Sequence, residues 1–245
     1  MSIKNLKELE KDKGLLIFDI KRDVTTAGPS PIDNKRTEVF LLGCKKAIKG
    51  NPCKGCFNSI TWDNSKATIS RDPIEIADYI IANSNSKYIT IGGGEPTDQL
   101  PQLIPFLKRL KKNNYHIIMY TWRNIIDILN GKVYEIDKEI IKDDTKTFYD
   151  YFKEAIKYID IIIDGEFIQE EKLWNPQSKN IAYNFIGSGN QTVYDMNFLY
   201  GYEMKYIKNL KLTNDNSLIY LLKEKNIKKD IKNLLIEKEW FYGWK

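Results

Sequence analysis

The sequence predicts an α/β fold, with a parallel sheet arranged as a barrel or partial barrel and a helical extension at the carboxyl end. Short apolar runs of strand length alternate with longer segments in which apolar residues recur at helical spacing. This alternation gives parallel strands joined by right-handed crossovers. The 245 residues, 42% of them hydrophobic, suffice for one sizeable core. We expect the core domain over residues 1–200 and the helical extension over residues 201–245.

Strands and helices follow each other in order along the chain. Apolar runs predict strands at residues 14–20, 37–42, 87–91, 115–120 and 160–164. Asp72 and Pro73 predict a helix start, because Asp caps a helix and Pro fits its first turn. Two more helices are predicted from one-sided apolar spacing after residues 100 and 148. The strands at 37–42 and 87–91 should therefore end at the same edge of the sheet, where ligands bind in such folds.

Composition narrows the class of protein. No stretch approaches the roughly 20 apolar residues of a membrane-spanning helix, and the charged first residues lack the apolar centre of a secretory signal. A cytoplasmic protein without membrane contact is the expectation. The formal net charge is +5, with many lysines near the carboxyl end. A solvated helical face explains these lysines better than a nucleic-acid site does, so no nucleic-acid partner is expected.

The cysteines are the strongest chemical signal. Cys44, Cys53 and Cys56 lie within thirteen residues, and the rest of the chain has none. An odd number excludes a complete disulfide framework, and a chain that clusters its cysteines once uses them for metal or redox chemistry. Two residues separate Cys53 from Cys56, a spacing that suits chelation of a soft metal centre.

Three kinds of cysteine site fit this pattern to different degrees. A structural zinc site needs four ligands, and the fourth would be His116, the only histidine. A thioredoxin-like pair of Cys53 and Cys56 leaves Cys44 unexplained. An iron–sulfur cluster held by three cysteines leaves one iron without a protein ligand, and it uses all three thiols. An open iron is what reductive chemistry on a bound ligand requires.

A glycine-rich loop follows the strand at residues 87–91. Gly92, Gly93 and Gly94 precede Glu95 and Pro96. Glycines let the backbone approach a ligand, and free amide groups there can bind a carboxylate, while Glu95 could accept from an ammonium group. An amino-acid head group carries both charges. Alone, the loop is equally compatible with an ordinary strand-to-helix turn; beside three cysteines it indicates a binding site.

Several segments resemble the radical S-adenosylmethionine (SAM) superfamily, and most closely the activating enzymes of anaerobic (class III) ribonucleotide reductases. The resemblance spans residues 15–196. Its most specific parts are residues 53–58, Cys-Lys-Gly-Cys-Phe-Asn, and residues 187–191, Gly-Ser-Gly-Asn-Gln. Further matches are Gly28-Pro29, Arg36, Gly43-Cys44, Thr61-Trp62-Asp63, Gly93-Gly94-Glu95-Pro96-Thr97, Asp164-Gly165, Phe167 and Val193-Tyr194-Asp195.

The resemblance implies a partial (β/α) barrel of the radical SAM type and a role for eight residues. The implied ligands of a [4Fe–4S] cluster are Cys44, Cys53 and Cys56. The residues that would hold the methionine end of SAM are Gly93, Gly94 and Glu95, and those near the adenosine are Phe57 and Asn58.

The resemblance also implies an oxidoreductase activity. An electron from a flavodoxin- or ferredoxin-type donor passes through the cluster to SAM, which breaks into methionine and a 5′-deoxyadenosyl radical. In activating enzymes this radical takes a hydrogen atom from a glycine of a partner enzyme. The alternatives are a radical SAM enzyme acting on a small molecule or peptide, similar to carboxy-deazaguanine synthase, and a non-catalytic metal-binding or electron-transfer module.

The chain departs from the family pattern in the cysteine loop. The family spacing is Cys-x3-Cys-x2-Cys, whereas eight residues separate Cys44 from Cys53 here. We expect the five extra residues to bulge outward without moving the thiols, because loop insertions cost little free energy. They would change the surface where an electron donor or a partner approaches. The family usually has an arginine just before the Gly-Ser segment, whereas this chain has Ile186 at that position.

Overall fold

A computed structural model describes residues 3–25, 28–31, 35–65, 67, 69–141, 145–175, 177–179, 182–204, 207–212, 218–222 and 227–230. The strands are β1 (Glu8–Glu10), β2 (Ile17–Val24), β3 (Arg36–Leu41), β4 (Ile69–Arg71), β5 (Tyr88–Gly93), β6 (His116–Thr121), β7 (Ile161–Asp164), β8 (Thr192–Asp195), β9 (Tyr200–Glu203), β10 (Ile207–Leu212), β11 (Leu218–Leu222) and β12 (Ile227–Asp230). The helices are α1 (Lys45–Ile48), α2 (Pro73–Asn83), α3 (Leu100–Lys112), α4 (Ile125–Leu129), α5 (Phe148–Ile156) and α6 (Ala182–Phe185). Short 3₁₀ turns lie at Ile3–Asn5, Ser59–Thr61, Pro96–Gln99, Glu135–Glu139 and Gln169–Glu171.

The main sheet has eight strands in the order β12-β9-β8-β7-β6-β5-β3-β2. The four strands β3, β5, β6 and β7 are parallel to one another. The outer strands β2, β8, β9 and β12 pair antiparallel with their neighbours. Two small antiparallel sheets, β1-β4 and β10-β11, accompany the main sheet. The predicted α/β class with parallel central strands is therefore confirmed, while the partial barrel stays a prediction.

The apolar residues of the central strands are buried on both faces of the sheet. In β6, Ile117 and Met119 pack in the cluster that contains the buried faces of α2, α3 and α5, whereas Ile118 packs in a second cluster with residues of α6 and β10. Successive side chains of a strand point to opposite faces. Continuous apolar runs such as residues 161–163 therefore belong to strands covered on both sides.

The predicted helix start at Asp72 is confirmed. The Asp72 side chain accepts hydrogen bonds from the backbone N–H groups of Ile74 and Glu75, and Pro73 occupies the first helical position. A cap of this kind satisfies N–H groups that have no partner within the helix. Residues 3–25 and the other described segments contain no helix that is long and apolar enough to cross a membrane.

The helical extension predicted for the carboxyl end is wrong where the structure describes that region. Strands β10, β11 and β12 form there, and β9 with β12 extends the main sheet. The many lysines of this region suggested a helix, because lysine suits helices. In the structure Ile207, Leu210 and Leu212 are buried. Leu210 and Leu212 are two residues apart, which places both on one face of a strand. The domain boundary at residue 200 stays a prediction, and the aromatic end at residues 240–244 lies outside the described residues.

Candidate iron–sulfur and SAM site

A cavity of about 550 Å³ lies at the carboxyl ends of the parallel strands. Cys44 follows β3 by three residues, Gly93 ends β5, Thr121 ends β6, and Gly165 follows β7. Parallel strands end at one edge of the sheet, and ligands bind there. The eight residues predicted for the site all line this cavity, namely Cys44, Cys53, Cys56, Phe57, Asn58, Gly93, Gly94 and Glu95. Their individual roles stay predictions.

The cysteine loop folds back on itself through its backbone. The N–H of Gly43 donates to the carbonyl of Thr61 at 2.7 Å, and the N–H of Cys44 donates to that of Trp62 at 3.0 Å. A turn in which the N–H of Cys56 donates to the carbonyl of Cys53 at 3.2 Å closes the loop. The loop thus brings residues far apart in sequence to one wall of the cavity.

An N–H group acts on each of the three cysteines. Burial raises the pKa of Cys44 and of Cys53, and the backbone N–H groups of Ala47 and Phe167, respectively, oppose that rise. The indole Nε1 of Trp62 donates to the Sγ of Cys56 at 3.4 Å. N–H groups aimed at sulfur stabilise negative charge there, and such bonds tune iron–sulfur clusters.

Burial makes the thiol form of Cys44 and Cys53 the stable one in the absence of metal. It raises the pKa of Cys44 to about 12, with a further contribution from Glu95, and it raises the pKa of Cys53 to about 11. Metal ligation requires thiolates. Cluster assembly at this site must therefore release protons.

The glycine loop packs directly on the cysteine loop. The N–H of Gly94 donates to the carbonyl of Leu41 at 2.8 Å, and the N–H of Glu95 donates to that of Gly43 at 2.7 Å. The expectation that these two amides are free to bind a carboxylate is therefore wrong, because the neighbouring strand end uses them. A Cβ on Gly94 would lie 2.0 Å from the Gly43 oxygen, so glycine is required there for the two loops to meet.

The Glu95 carboxylate is buried and held in place. Its Oε1 accepts from the backbone N–H of Thr97 at 3.0 Å and from the Thr97 hydroxyl at 2.6 Å, and its Oε2 accepts from the N–H of Trp122 at 3.1 Å. Burial raises the pKa of Glu95, while the nearby Arg123 opposes this shift. A carboxylate has about four acceptor positions, so Oε2 retains capacity for an ammonium group.

A buried arginine that the sequence did not single out supports this carboxylate. Arg123 is fully buried, and its guanidinium lies 2.8 Å from Asp98, 2.7 Å from Asp137 and 3.6 Å from Glu95. Its Nη1 also donates to the Thr97 hydroxyl at 2.5 Å. The only signal in the sequence was the position of Arg123 shortly after a parallel strand, and its partners come from two separate segments, residues 95–98 and Asp137.

Aromatic rings form another wall of the cavity. The Phe57 ring centroid lies 4.4 Å from that of Phe167 and 5.2 Å from that of Trp174. The side chain of Phe57 is nonetheless 45% exposed, and the ammonium of Lys172 lies 5.3 Å from its ring. Flat apolar surfaces of this kind suit a nucleobase, because every base has a face that stacks. The neighbouring Asn58 accepts from the N–H of Thr61 through its backbone carbonyl.

The late glycine-serine segment closes the cavity on the side of β7. Gln191 accepts from the N–H groups of Gly187 and Ser188 at 3.0 and 3.2 Å, and it donates to the carbonyl of Gly165 at 3.0 Å. Asn190 donates to the carbonyl of Glu166 at 2.8 Å. These bonds fix the segment that resembles the radical SAM family against the loop after β7.

His116 does not join the cysteines. It is the first residue of β6, at the opposite end of the strand from the cavity, and its Nδ1 lies 3.4 Å from the buried guanidinium of Arg36. Within the described segments, no three His, Cys, Asp or Glu side chains are grouped as ligands of one metal ion would be. A zinc site completed by His116 therefore does not agree with this arrangement.

The cavity also contains a donor that suits a ligand. The indole Nε1 of Trp122 is buried and has no hydrogen-bond partner among the described residues, and Trp122 lines the cavity. A buried polar group without a partner costs free energy. Three cysteines that line one cavity and this unsatisfied donor fit an iron–sulfur cluster and a polar ligand beside it.

The fold and the site define an iron–sulfur protein, and the chain belongs to the family described as 4Fe-4S single cluster domain, whose model matches residues 33–194. The chain is similar to the anaerobic ribonucleoside-triphosphate reductase-activating protein of Haemophilus influenzae, with 27% identity over 162 residues, 62% of this chain and 90% of that protein. Two proteins of the same name are each 25% identical to this chain. The match to the one from Pasteurella multocida covers 62% of this chain and 89% of that protein, and the match to the one from Vibrio cholerae covers 61% of this chain and 88% of that protein. The predicted resemblance to radical SAM activating enzymes is thereby confirmed, and with it a [4Fe–4S] cluster and SAM as cofactors.

Proposed function

We propose that this chain reductively cleaves SAM and uses the resulting radical to install a glycyl radical on a partner enzyme, such as an anaerobic ribonucleotide reductase. One observation carries the proposal: the three cysteines share a cavity of about 550 Å³ with the glycine–glutamate loop. Relatives that bear the name of activating proteins match about nine-tenths of their length to this chain. The volume lies within the range of roughly 300–1,000 Å³ that is typical of small-molecule sites.

The cysteines hold the cluster in this proposal. Cys44, Cys53 and Cys56 would hold the cluster, one iron of which would have no protein ligand. Such a cluster, together with SAM, would supply the one-electron reductive cleavage of the SAM C–S bond from which a glycyl radical on the partner would derive. The protein contributes binding, orientation and shielding, since the radical chemistry belongs to the cofactors.

The remaining site residues position SAM. The Oε2 atom of Glu95 accepts from the ammonium of the methionine end, and the free N–H of Trp122 donates to an oxygen of the same ligand. Gly93 and Gly94 shape the wall beside it, because side chains there would collide with Leu41 and Gly43. Phe57 and Asn58 lie on the adenosine side, where the aromatic rings exclude water.

Other features of the proposal follow from the same assignment. The parallel strands β3, β5, β6 and β7 represent the partial barrel of the radical SAM type, and the electron comes from a flavodoxin- or ferredoxin-type protein. The working compartment is the cytoplasm, where thiols stay reduced and available to iron.

The proposal is tested by anaerobic reconstitution with iron and sulfide, followed by reduction with SAM present. We expect about four irons per chain, production of 5′-deoxyadenosine, and a glycyl doublet in electron paramagnetic resonance after addition of an anaerobic ribonucleotide reductase. C53A should lose both cluster and cleavage, because it removes one ligand. The matched control is S59A, which changes an exposed side chain in the same loop and should behave as the native protein.

Two outcomes would contradict different parts of the proposal. A protein that holds iron but never cleaves SAM would be an electron-transfer module. A protein that makes 5′-deoxyadenosine without a glycyl signal, and does so faster with a small-molecule substrate, would contradict the glycyl radical partner.

A further inference from the structure

One residue of the segment between Cys44 and Cys53 is turned inward, while residues 48–51 are exposed. The segment between Cys44 and Cys53 forms helix α1, and Lys46 in this helix has a side chain that is only 7% exposed. The expectation that the insertion bulges outward is therefore wrong for Lys46. A lysine is almost never buried unless it is paired, so this position calls for a physical explanation.

Lys46 is surrounded by groups that stabilise its charge. Its Nζ lies 3.2 Å from Oε2 of Glu166, and it donates to the carbonyl of Asn51 at 2.5 Å. The same ammonium lies 5.6 Å from the ring centroid of Trp122, which lines the cavity. By contrast, Lys49, the residue that follows this helix, is 46% exposed and pairs with Glu139 at the surface.

The pair of Lys46 and Glu166 lies beside the cavity wall that carries the cysteines. Phe167, the residue after Glu166, lines this cavity together with Cys53. Lys46 follows Cys44 by two residues, and Trp122, which its ammonium approaches, lines the same cavity. The two charges differ in exposure, because the Lys46 side chain is 7% exposed and that of Glu166 is 48% exposed.

We propose that Lys46 and Glu166 form a pair of opposite charges that sets the reduction potential of the cluster held by Cys44, Cys53 and Cys56. Reduction adds one negative charge to the cluster, so a nearby buried cation favours the reduced state and a nearby anion opposes it. Such interactions are strong where water is excluded, and cluster potentials depend on local charge and solvent exposure. Lys46 does not line the cavity, so it is not a catalytic residue, and its charge acts on the cluster across the cysteine loop.

The test is a redox titration of the reconstituted protein without SAM, followed by electron paramagnetic resonance. At a fixed solution potential, K46M should lower the ratio of reduced to oxidised cluster by about tenfold, which corresponds to about 59 mV for one electron. E166Q should raise the same ratio, by a smaller factor of about three, because its carboxylate is partly screened by water. K46R keeps the charge and should stay within about twofold of the native ratio.

The control is K49M, which removes the exposed lysine that follows the same helix and should leave the potential unchanged. Shifts of opposite sign for K46M and E166Q support the inference, since a merely structural defect would move both in one direction. Unchanged potentials in both variants would overturn it. If K46M does not retain four irons, the other two variants decide. A higher ratio of reduced to oxidised cluster in E166Q, together with a native ratio in K46R, supports the inference. Any other result overturns it.

This inference rests on the proposed function only in requiring that the three cysteines hold a cluster. Iron content and the titration are measured without SAM or a partner. Failure of the native protein to bind a cluster would therefore contradict the proposed function, whereas a cluster with an unaltered potential would contradict only the role of Lys46 and Glu166.

Discussion

Replacing Arg123 by methionine tests the charge network beneath the glycine–glutamate loop. The guanidinium is fully buried, and the side chains of Glu95, Asp98 and Asp137 are 3%, 5% and 0% exposed. Methionine fills much of the space but leaves these carboxylates without their cation. Breaking a buried pair by removing one partner costs about 3–5 kcal/mol, because an uncompensated buried charge remains.

We expect R123M to lower the free energy of unfolding by this amount at pH 7, measured by anaerobic urea denaturation. For a chain of this size the loss corresponds to a melting temperature lower by roughly 10 °C. The matched control is R109M, whose partner Asp78 lies 2.6 Å away in a pair that is 38% and 45% exposed. Exposed pairs contribute about 0–1 kcal/mol, so R109M should differ little from the native protein.

The loss should also depend on pH. Burial raises the pKa of Glu95 and of Asp137, and in both cases Arg123 opposes the shift. Without Arg123 the folded-state pKa values rise further, so the folded variant binds more protons than the unfolded chain does. Stability of the variant relative to the native protein must then fall as pH rises from 5 to 8. This reasoning would be refuted if R123M and R109M lost equal amounts of unfolding free energy. It would also be refuted if the loss in R123M became larger as the pH is lowered.

Three further outcomes follow from the contacts of the cavity. G94A should destabilise the protein and reduce iron retention, because the added Cβ would lie 2.0 Å from the Gly43 oxygen. In the control G92A, the nearest contact of the added Cβ is at 3.6 Å. Similar melting temperatures for the two variants would contradict this prediction. W62F removes the N–H that donates to Cys56, and iron should pass to a chelator about tenfold faster; an unaltered rate would count against the N–H···S bond. Cluster loading should become faster as pH rises from 7 towards 9, because burial raises the pKa of two thiols that must ionise; a rate independent of pH would show that deprotonation does not limit assembly.

The sequence predicted the parts of the fold that depend on local pattern. Apolar runs located the strands that became β3, β5, β6 and β7, and Asp72 marked the start of α2. Because parallel strands end at one edge, the two loops were expected to be neighbours. The structure joins them by the hydrogen bond from the Glu95 N–H to the Gly43 carbonyl.

What the sequence did not predict depends on partners that are distant along the chain. Arg123 binds residues of two separate segments, one before it and one after it, and no local pattern encodes that convergence. The inward orientation of Lys46 depends on Glu166, more than a hundred residues away. At the carboxyl end, lysines gave a helical appearance, but buried Leu210 and Leu212 made one face of a strand.

The central claim is that three cysteines hold a cluster with one iron left open for SAM. The most direct measurement is the electron paramagnetic resonance spectrum of the reduced, reconstituted native protein before and after SAM is added, together with its iron content. The account predicts about four irons and a signal whose shape changes when SAM binds. A stoichiometric zinc content, or a cluster signal that SAM leaves unaltered, would contradict it.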